Sequence, residues 1–510
     1  MSEASRSGTP VDVPLPPASA LPLDGGAAGA RKSLSGQMGT SALALTVLAF
    51  SAPISVVSGF IPFTILFDGT GAAFGFLTVT VVLLLFAAGY VTMTKHVPKP
   101  GDFYSFISTG LGKVPGLGAA FLAVTAYLVM LAGVYAQLGV VVSSLITSFH
   151  GPATSWWPWS VAGWLIVSVL GHFHVELSAK LLSAAMVLEV AVVLIYDFAV
   201  LVRGGSGGSA GLSLAPLSPA EFLKGDVGVT LLFGVLVFLG FESTALYRDE
   251  VRRPNRTIPR ATYIAVVFVG VLYTLSCYAL TTAYGPKAVG VATASPASMF
   301  PDSIGHYVAP VFTQLSYLFV TTSVLAALLS IHNVLARYLH NLGYDRAIPV
   351  YFAGVHERHS SPFRASALAA ALCAAVLGMF VLAGKDGVTL YAELTGLASV
   401  GVLVLMTFVS LAVIVWFARK GVPAGESLFT TFAAPGLACL ALAGTTVLAL
   451  LKFNLVVGGE TPGQNMWLVS IPLAGLAVGL ALAVFYKSRR RHIFDGLGRD
   501  TRVVDLTVDV

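Results

Sequence analysis

Charge is what this chain has least of. Asp, Glu, Lys and Arg make up 10% of its 510 residues, against roughly 25% in an ordinary soluble domain. That excludes a water-soluble fold for most of the length. Cysteine is almost as scarce: Cys277, Cys373 and Cys439 stand singly in apolar stretches, with no disulfide or zinc spacing, and read as packing residues. The ten histidines are dispersed, and only Gly171-His172-Phe173-His174 sets two close together. Without a third ligand this is no metal site, and with no surface cluster of His, Asp or Cys a membrane enzyme is disfavoured. No cofactor is expected. No ring of like groups and no repeated filter loop is visible, which argues against a channel. No basic leader followed by a short apolar core opens the chain, so a cleaved signal peptide is not expected.

Apolar sequence is abundant: 56% of the residues are hydrophobic. Twelve runs approach or exceed the ~20 residues that cross a bilayer, at about 39–66, 72–95, 115–147, 158–173, 178–202, 227–247, 260–284, 307–340, 363–383, 389–418, 429–455 and 466–487. The pattern predicts an all-α polytopic membrane protein. Residues 1–38, rich in Ser, Pro, Gly and Ala, read as a disordered tail. Residues 39–488 form the membrane domain. Residues 489–510 form a second tail, too short to fold alone as the soluble domain of a sensor would.

The net charge of +5 and pI of about 9.0 do not indicate a nucleic-acid surface, because the basic residues lie between apolar runs and not on one face. With the N-terminus inside, 24 of the 29 Lys and Arg fall on the cytoplasmic side. Only Arg203, Lys224, Lys287, Lys385 and Lys452 fall outside. This follows the positive-inside rule and predicts a multi-pass cell-membrane protein with both termini cytoplasmic. Trp156, Trp157 and Trp159 before the fourth run fit an interfacial aromatic belt.

Two runs are interrupted. The first holds Ser51-Ala52-Pro53-Ile54-Ser55-Val56-Val57-Ser58-Gly59-Phe60-Ile61-Pro62, where each proline removes a backbone donor and Gly59 loosens the segment. The sixth holds Gly234 and Gly240 and the stretch Phe238-Leu239-Gly240-Phe241-Glu242-Ser243. An ionisable residue at that depth is a functional hypothesis by default; the structural alternative is a Glu near a helix end that reaches water. If the first five runs and the next five are inverted repeats, the breaks occupy corresponding positions. Corresponding breaks point to a midplane site, where one half-helix exposes amides for a carboxylate and the other exposes carbonyls for an ammonium. Packing kinks are the plainer account of either break alone.

Phe238-Leu239-Gly240-Phe241-Glu242-Ser243, with Glu250-x-x-x-Pro254-x-Arg256-x-Ile258-Pro259-Arg260, resembles the sixth helix and following loop of the amino acid, polyamine and organocation permease superfamily, bacterial amino acid permease type. Pro98-Lys99-Pro100-Gly101-Asp102-Phe103-Tyr104 is similar to its loop after the second helix, and Arg337 to Pro349, with Gly343 and Asp345, to the loop after the eighth. Ser178-Ala179-Lys180 adds a weaker match. The resemblance implies a five-plus-five inverted-repeat (LeuT-like) fold of twelve transmembrane helices. Helices 1 and 6 are discontinuous, the repeats cover about 39–202 and 227–418, and the extra helices lie at 429–487. It implies alternating-access transport of a small organic substrate by a monomer or homodimer.

Many relatives carry a Gly-Ser-Gly type sequence in the first break, whereas this chain has Ser55-Val56-Val57-Ser58-Gly59. The amides of this stretch remain, but the two valines narrow the approach and keep a polyamine or smaller amine open as substrate. Candidate substrate residues are Ile54, Ser55, Val56, Val57, Ser58, Gly59, Phe238, Gly240, Phe241 and Ser243 at the breaks, with Tyr135, Gln137, Gln314 and Tyr317 from other helices. For those four an interhelical hydrogen bond, worth about 0.6 kcal/mol, is the structural alternative. Glu189 falls where several relatives have a tethered Lys. In apolar surroundings its carboxylate could load and release a proton during the cycle, or lock the fifth helix to a neighbour. Glu242 is a second coupling candidate. Glu393 could draw in a cationic substrate, or simply be a solvated helix start. Sodium coupling is disfavoured, because counting back from Arg337 places Ala326 and Ala327 where relatives offer hydroxyls; Thr321, Thr322 and Ser323 lie a turn away. His332 and Asn333 could join a proton route or belong to the core. The expected function is secondary active transport of amino acids or related small amines by proton symport, with exchange or polyamine import as the alternative.

Overall fold

The structure, a computed structural model, describes residues 38–97, 103–172, 179–210, 212–245, 247–248, 251–356, 361–457 and 465–498. Outside these lie the expected tail before Met38, the loop residues Pro98 to Asp102, Ser178, Glu250, Arg358 and the end of the C-terminal tail. The described residues are helical apart from turns and one isolated bridge between Met38 and Val251.

The first run becomes three helices, α1 (Thr40–Phe50), α2 (Pro53–Gly59) and α3 (Ile61–Asp68). There follow α4 (Ala72–His96), α5 (Phe103–Leu111), α6 (Lys113–Ser148), α7 (Trp157–His172), α8 (Ala179–Arg203) and α9 (Pro219–Phe222). The sixth run is α10 (Val227–Val237) and a tight turn at Phe241–Ala245. Then come α11 (Pro254–Tyr284), α12 (Ala288–Ala294), α13 (Pro296–Tyr307), α14 (Val311–Tyr344), α15 (Phe363–Leu382) and α16 (Gly387–Lys420). The chain ends with α17 (Ala434–Leu451), α18 (Phe453–Val456), α19 (Ser470–Arg489) and α20 (Arg491–Gly496).

Eleven stretches among the described residues are long and apolar enough to cross a membrane. The expected twelve are not all matched, because the run at 158–173 yields α7 with only 16 residues, short of the ~20 that span. The other boundaries fall near the expected ones, since apolar length sets them directly. Local chemistry explains the ends. Asp386 caps α16 by accepting the Thr389 amide at 2.9 Å, and Gly112, at φ 107°, turns the chain from α5 into α6. The segment between the seventh and eighth runs, which offers no long apolar run, folds as α12 and α13.

The centre of the bundle is α6, packed on α14, α16 and α19. Small residues let the helices approach: a side chain at Gly401 would stand 2.9 Å from the Ala126 methyl, and one at Gly110 would collide with the Ala412 carbonyl. Outward faces of α15, α17 and α19 carry Leu382, Leu440 and Val484 exposed, as a lipid-facing surface does.

One end of the bundle gathers the basic residues and is laced together. Tyr104 donates to Asp345 at 2.6 Å, joining two of the motif loops, and the Gly498 amide takes the same carboxylate at 3.0 Å. Lys95 pairs with Glu426 at 3.0 Å, and Arg248 holds the Thr94 carbonyl at 2.7 Å. The helical C-terminal residues of α20 reach the same end through Lys113, which donates to the Asp495 carbonyl at 2.7 Å.

Candidate functional site

The first break lies one turn earlier than the stretch Ser55 to Gly59. Ala52 takes a left-handed conformation, φ 45°, and Pro53 starts α2 immediately after it. Ser51 and Ala52 are the unwound residues, because Pro53 has no amide to continue α1 and its fixed φ suits a helix start. The amides of Ser55 and Val56 are bonded to the Ala52 carbonyl. Two valines and a serine therefore sit in a regular, buried turn and present no row of bare amides. The free donor at the head of α2 is the Ile54 amide, which faces the Glu189 carboxylate of α8. Ser323 of α14 donates to Glu189 Oε2 at 2.7 Å, and Ser55 donates to Ser323 at 3.0 Å. Glu189 is 6% exposed and joins α8 to both α2 and α14. Tyr273 of α11 closes the other side by donating to the Ser51 carbonyl at 3.1 Å.

The second break is built differently. Gly234, expected to loosen it, lies inside regular α10, where a side chain would meet Val79 at 2.7 Å. The interruption begins at Phe238 and turns at Gly240, whose φ of 116° is open to glycine. Glu242 then folds back on its own segment: the Gly240 amide donates to Oε2 at 2.8 Å, and Tyr127 of α6 to Oε1 at 3.2 Å. Tyr90 of α4 donates to the Glu242 carbonyl at 2.6 Å, and Ser243 to that of Gly240 at 2.6 Å. Phe238 stacks edge-on against Tyr273 at 6.1 Å and Phe241 against Phe86 at 5.9 Å.

Beyond α2 lies a small chamber of about 30 Å³, lined by residues that include Ser58, Gly59, Phe63, Gln137, Pro296 and Tyr391. That is room for about one or two waters. A side chain at Gly59 would collide with Gln137 Nε2 and meet the Tyr391 hydroxyl at 3.0 Å. Aromatic rings close over the chamber: Phe60 lies 5.2 Å from Tyr391, and Phe63 6.1 Å from Phe233. The Tyr391 hydroxyl is buried without a hydrogen-bond partner. A buried, unpartnered hydroxyl at a chamber wall is a group that a ligand can satisfy.

The sequence-derived candidates divide. Ile54, Ser55, Ser58, Gly59 and Gln137 meet at α2, and the side chains of Val56 and Val57 are buried there. Tyr135, two positions from Gln137, lies on another side of α6: its carbonyl takes Ser160 of α7 at 2.6 Å and its hydroxyl has no partner. Gln314 stands at the far end of α14, its nearest bond a long 3.5 Å to the Ser148 carbonyl, and Tyr317 is buried one turn further in. Neither reaches the Glu189 cluster. Glu393 is no solvated helix start; it is 5% exposed and paired with Lys385 at 3.4 Å. His332 bonds Ser366 at 2.8 Å and joins α14 to α15. On α14 the hydroxyl facing the break belongs to Ser323, three positions before Ala326. Sequence reasoning did not assign Tyr127, Tyr273, Phe233 or Tyr391 to the site. Tyr391, two positions from Glu393, was the one with a signal, a polar aromatic on the face of a glycine-rich apolar helix.

Among the described residues no cluster of His, Cys, Asp or Glu could hold a metal ion. Two broken helices meeting inside a bundle of long apolar ones define a multi-pass membrane carrier. The chain belongs to the amino acid permease family, whose model matches residues 46–493, and is a permease and not an enzyme. It is 23% identical to the low-affinity putrescine importer PlaP of Escherichia coli K12, over 72% of this chain and 78% of that one. It is 25% identical to the methylthioribose transporter of Bacillus subtilis, over 74% and 80%. To the chloroplastic cationic amino acid transporter 7 of Arabidopsis thaliana it is 27% identical, over 65% and 57%.

Proposed function

We propose that this permease moves an amino acid or related small amine across the cell membrane by alternating access, with a proton carried on Glu189 and the basic end in the cytoplasm. The observation that carries the reading is the seat of Glu189. Its carboxylate joins the head of α2 to Ser323 of α14, so its contacts must change when α1–α3 move against α8 and α14. An acid whose partners belong to separate moving parts exchanges its proton in one conformation and holds it in another. The chamber beyond Gly59 is the substrate seat, reached when Phe60, Phe63 and Tyr391 separate.

An amine without a carboxylate is favoured as substrate by the same geometry. The amide at the head of α2 already faces the protein's own carboxylate, and the chamber offers the Tyr391 hydroxyl oxygen with aromatic faces, which suit an ammonium group. The putrescine importer among the relatives accords with this. The test is uptake into proteoliposomes of labelled putrescine, arginine and alanine, each with and without an inward proton gradient. Accumulation of any of them that follows the gradient, and vanishes in Glu189→Gln, supports the reading. Accumulation indifferent to the gradient replaces it with substrate exchange.

A further inference from the structure

A cavity of about 730 Å³ opens at the end of α8 away from the basic face, lined by Tyr284, Lys287, Asp302, Ser303, His306 and Tyr307, among others. Asp302 and His306 are exposed in it, whereas Ser303 is 3% exposed. Behind Ser303 stands Tyr196 of α8, fully buried, its hydroxyl 2.8 Å from that of Ser303. The next residue is Asp197, 1% exposed. Its Oδ2 accepts from Ser276 of α11 at 2.8 Å, and its Oδ1 is buried with no partner. No ion pair among the described residues includes it. A carboxyl group at membrane depth, without a cation and with an idle oxygen, is costly to keep for packing alone.

Asp197 lies eight positions beyond Glu189 on the same side of α8, about 12 Å along its axis. Helix α11 serves both acids: Ser276 binds Asp197, and Tyr273, one turn away, reaches the break beside Glu189. The titratable and charged groups around this line are Tyr196 and Arg203 of α8, Tyr273, Cys277 and Tyr284 of α11, Asp68 of α3 beside Cys277, Lys287, Asp302, His306 and Tyr307 of the cavity, and Tyr317 of α14. Helices α1 and α2 bring none.

We infer that Asp197 is a second proton-carrying carboxylate, loaded from this cavity through the hydroxyls of Ser303 and Tyr196 and discharging to Glu189. The discharge half rests on the reading of Glu189 as the coupling acid. A proton from cavity water adds to the Ser303 oxygen while that hydroxyl's own proton passes to Tyr196, whose proton in turn forms an O–H bond on Asp197 Oδ1 through a bridging water, since no hydrogen bond joins the two side chains directly. Both hydroxyls end as they began. The Asp197 O–H bond then breaks as the Glu189 carboxylate gains the proton, across a gap that water beside Tyr273 must bridge.

The experiment needs no substrate. Full-length protein in liposomes on a solid-supported membrane is given a pH jump, and the transient current from protons moving into it is recorded. Wild type should give a transient that is lost in Asp197→Asn, kept but smaller in Glu189→Gln, and restored by Asp197→Glu. Tyr196→Phe, which keeps the ring and the carboxylate, should slow it by about tenfold or more. An Asp197→Asn transient equal to wild type, or no wild-type transient, overturns the proposal. A Glu189→Gln transient equal to wild type leaves loading at Asp197 standing and overturns the discharge to Glu189, and with it the coupling role of that residue. An unchanged rate in Tyr196→Phe overturns the hydroxyl path.

Discussion

The two helix breaks hold one buried glutamate each, and the two glutamates are used in opposite ways. Glu242 serves its own segment: it accepts the amide of Gly240 two positions away, and Tyr127 steadies it from α6. Glu189 comes from a different helix and ties the head of α2 to Ser323, 134 positions along the chain. A carboxylate that caps its own turn keeps that amide when helices shift as bodies, whatever becomes of Tyr127 on α6. One that bridges separate helices cannot keep its partners. Burial and charge are alike at the two sites, so connectivity is what separates them, and on the proposed reading it is what makes Glu189 the coupling acid and Glu242 a structural one.

That contrast can be broken by experiment, the largest effect first. Glu189→Gln should abolish gradient-driven accumulation while substrate counterflow persists; driven uptake at the wild-type level would make Glu189 another structural lock. Gly59→Leu should weaken substrate binding by about a hundredfold, measured by thermal shift against the best ligand, because the new side chain drives into Gln137 and Tyr391. Full affinity there would place the seat elsewhere.

Effects on stability should follow the other break. Gly240→Ala, forced to φ 116°, should destabilise the protein by roughly 1–3 kcal/mol, seen as a lower unfolding temperature with coupling stoichiometry unchanged. Glu242→Gln should cost about 1–3 kcal/mol by turning one of its two acceptor oxygens into an NH2, which leaves one of the two buried donors without an acceptor, again with proton-driven uptake retained in the folded fraction. If instead uptake were uncoupled and stability unaltered, the roles of the two glutamates would be reversed. Ser323→Ala comes last and removes two hydrogen bonds, the one to Glu189 and the one from Ser55, each worth about 1 kcal/mol. It should shift the pH profile of uptake, which an equivalent loss at Ser243 should not.

The positions of the breaks show how far local signals reach. Pro53 and Gly240 were legible because proline and glycine act through their own backbone, whatever surrounds them. Gly234 misled for the same reason: its role is to admit Val79, a contact with another helix, and nothing adjacent in sequence distinguishes that from a loosened turn. The amides from Ser55 to Gly59 were read as open because the sequence does not tell where a helix restarts after a kink. Ala52 in its left-handed conformation restarts it earlier and consumes them.

Sequence by itself determined that this is a multi-pass membrane protein of the amino acid permease type, with its basic end, most of its spans and its two interrupted helices. Apolar length, Gly and Pro, and the loop motifs are properties of contiguous residues. Tertiary structure alone decided that Glu189 meets Ile54 and Ser323, that Glu242 closes on itself, that Tyr391 and not Gln314 walls the chamber, and that Asp197 stands behind a cavity. Each of those depends on the rotation and approach of helices far apart in the chain. Interhelical packing sets these, because inside a bilayer the apolar pattern that orients a soluble helix is present on every face.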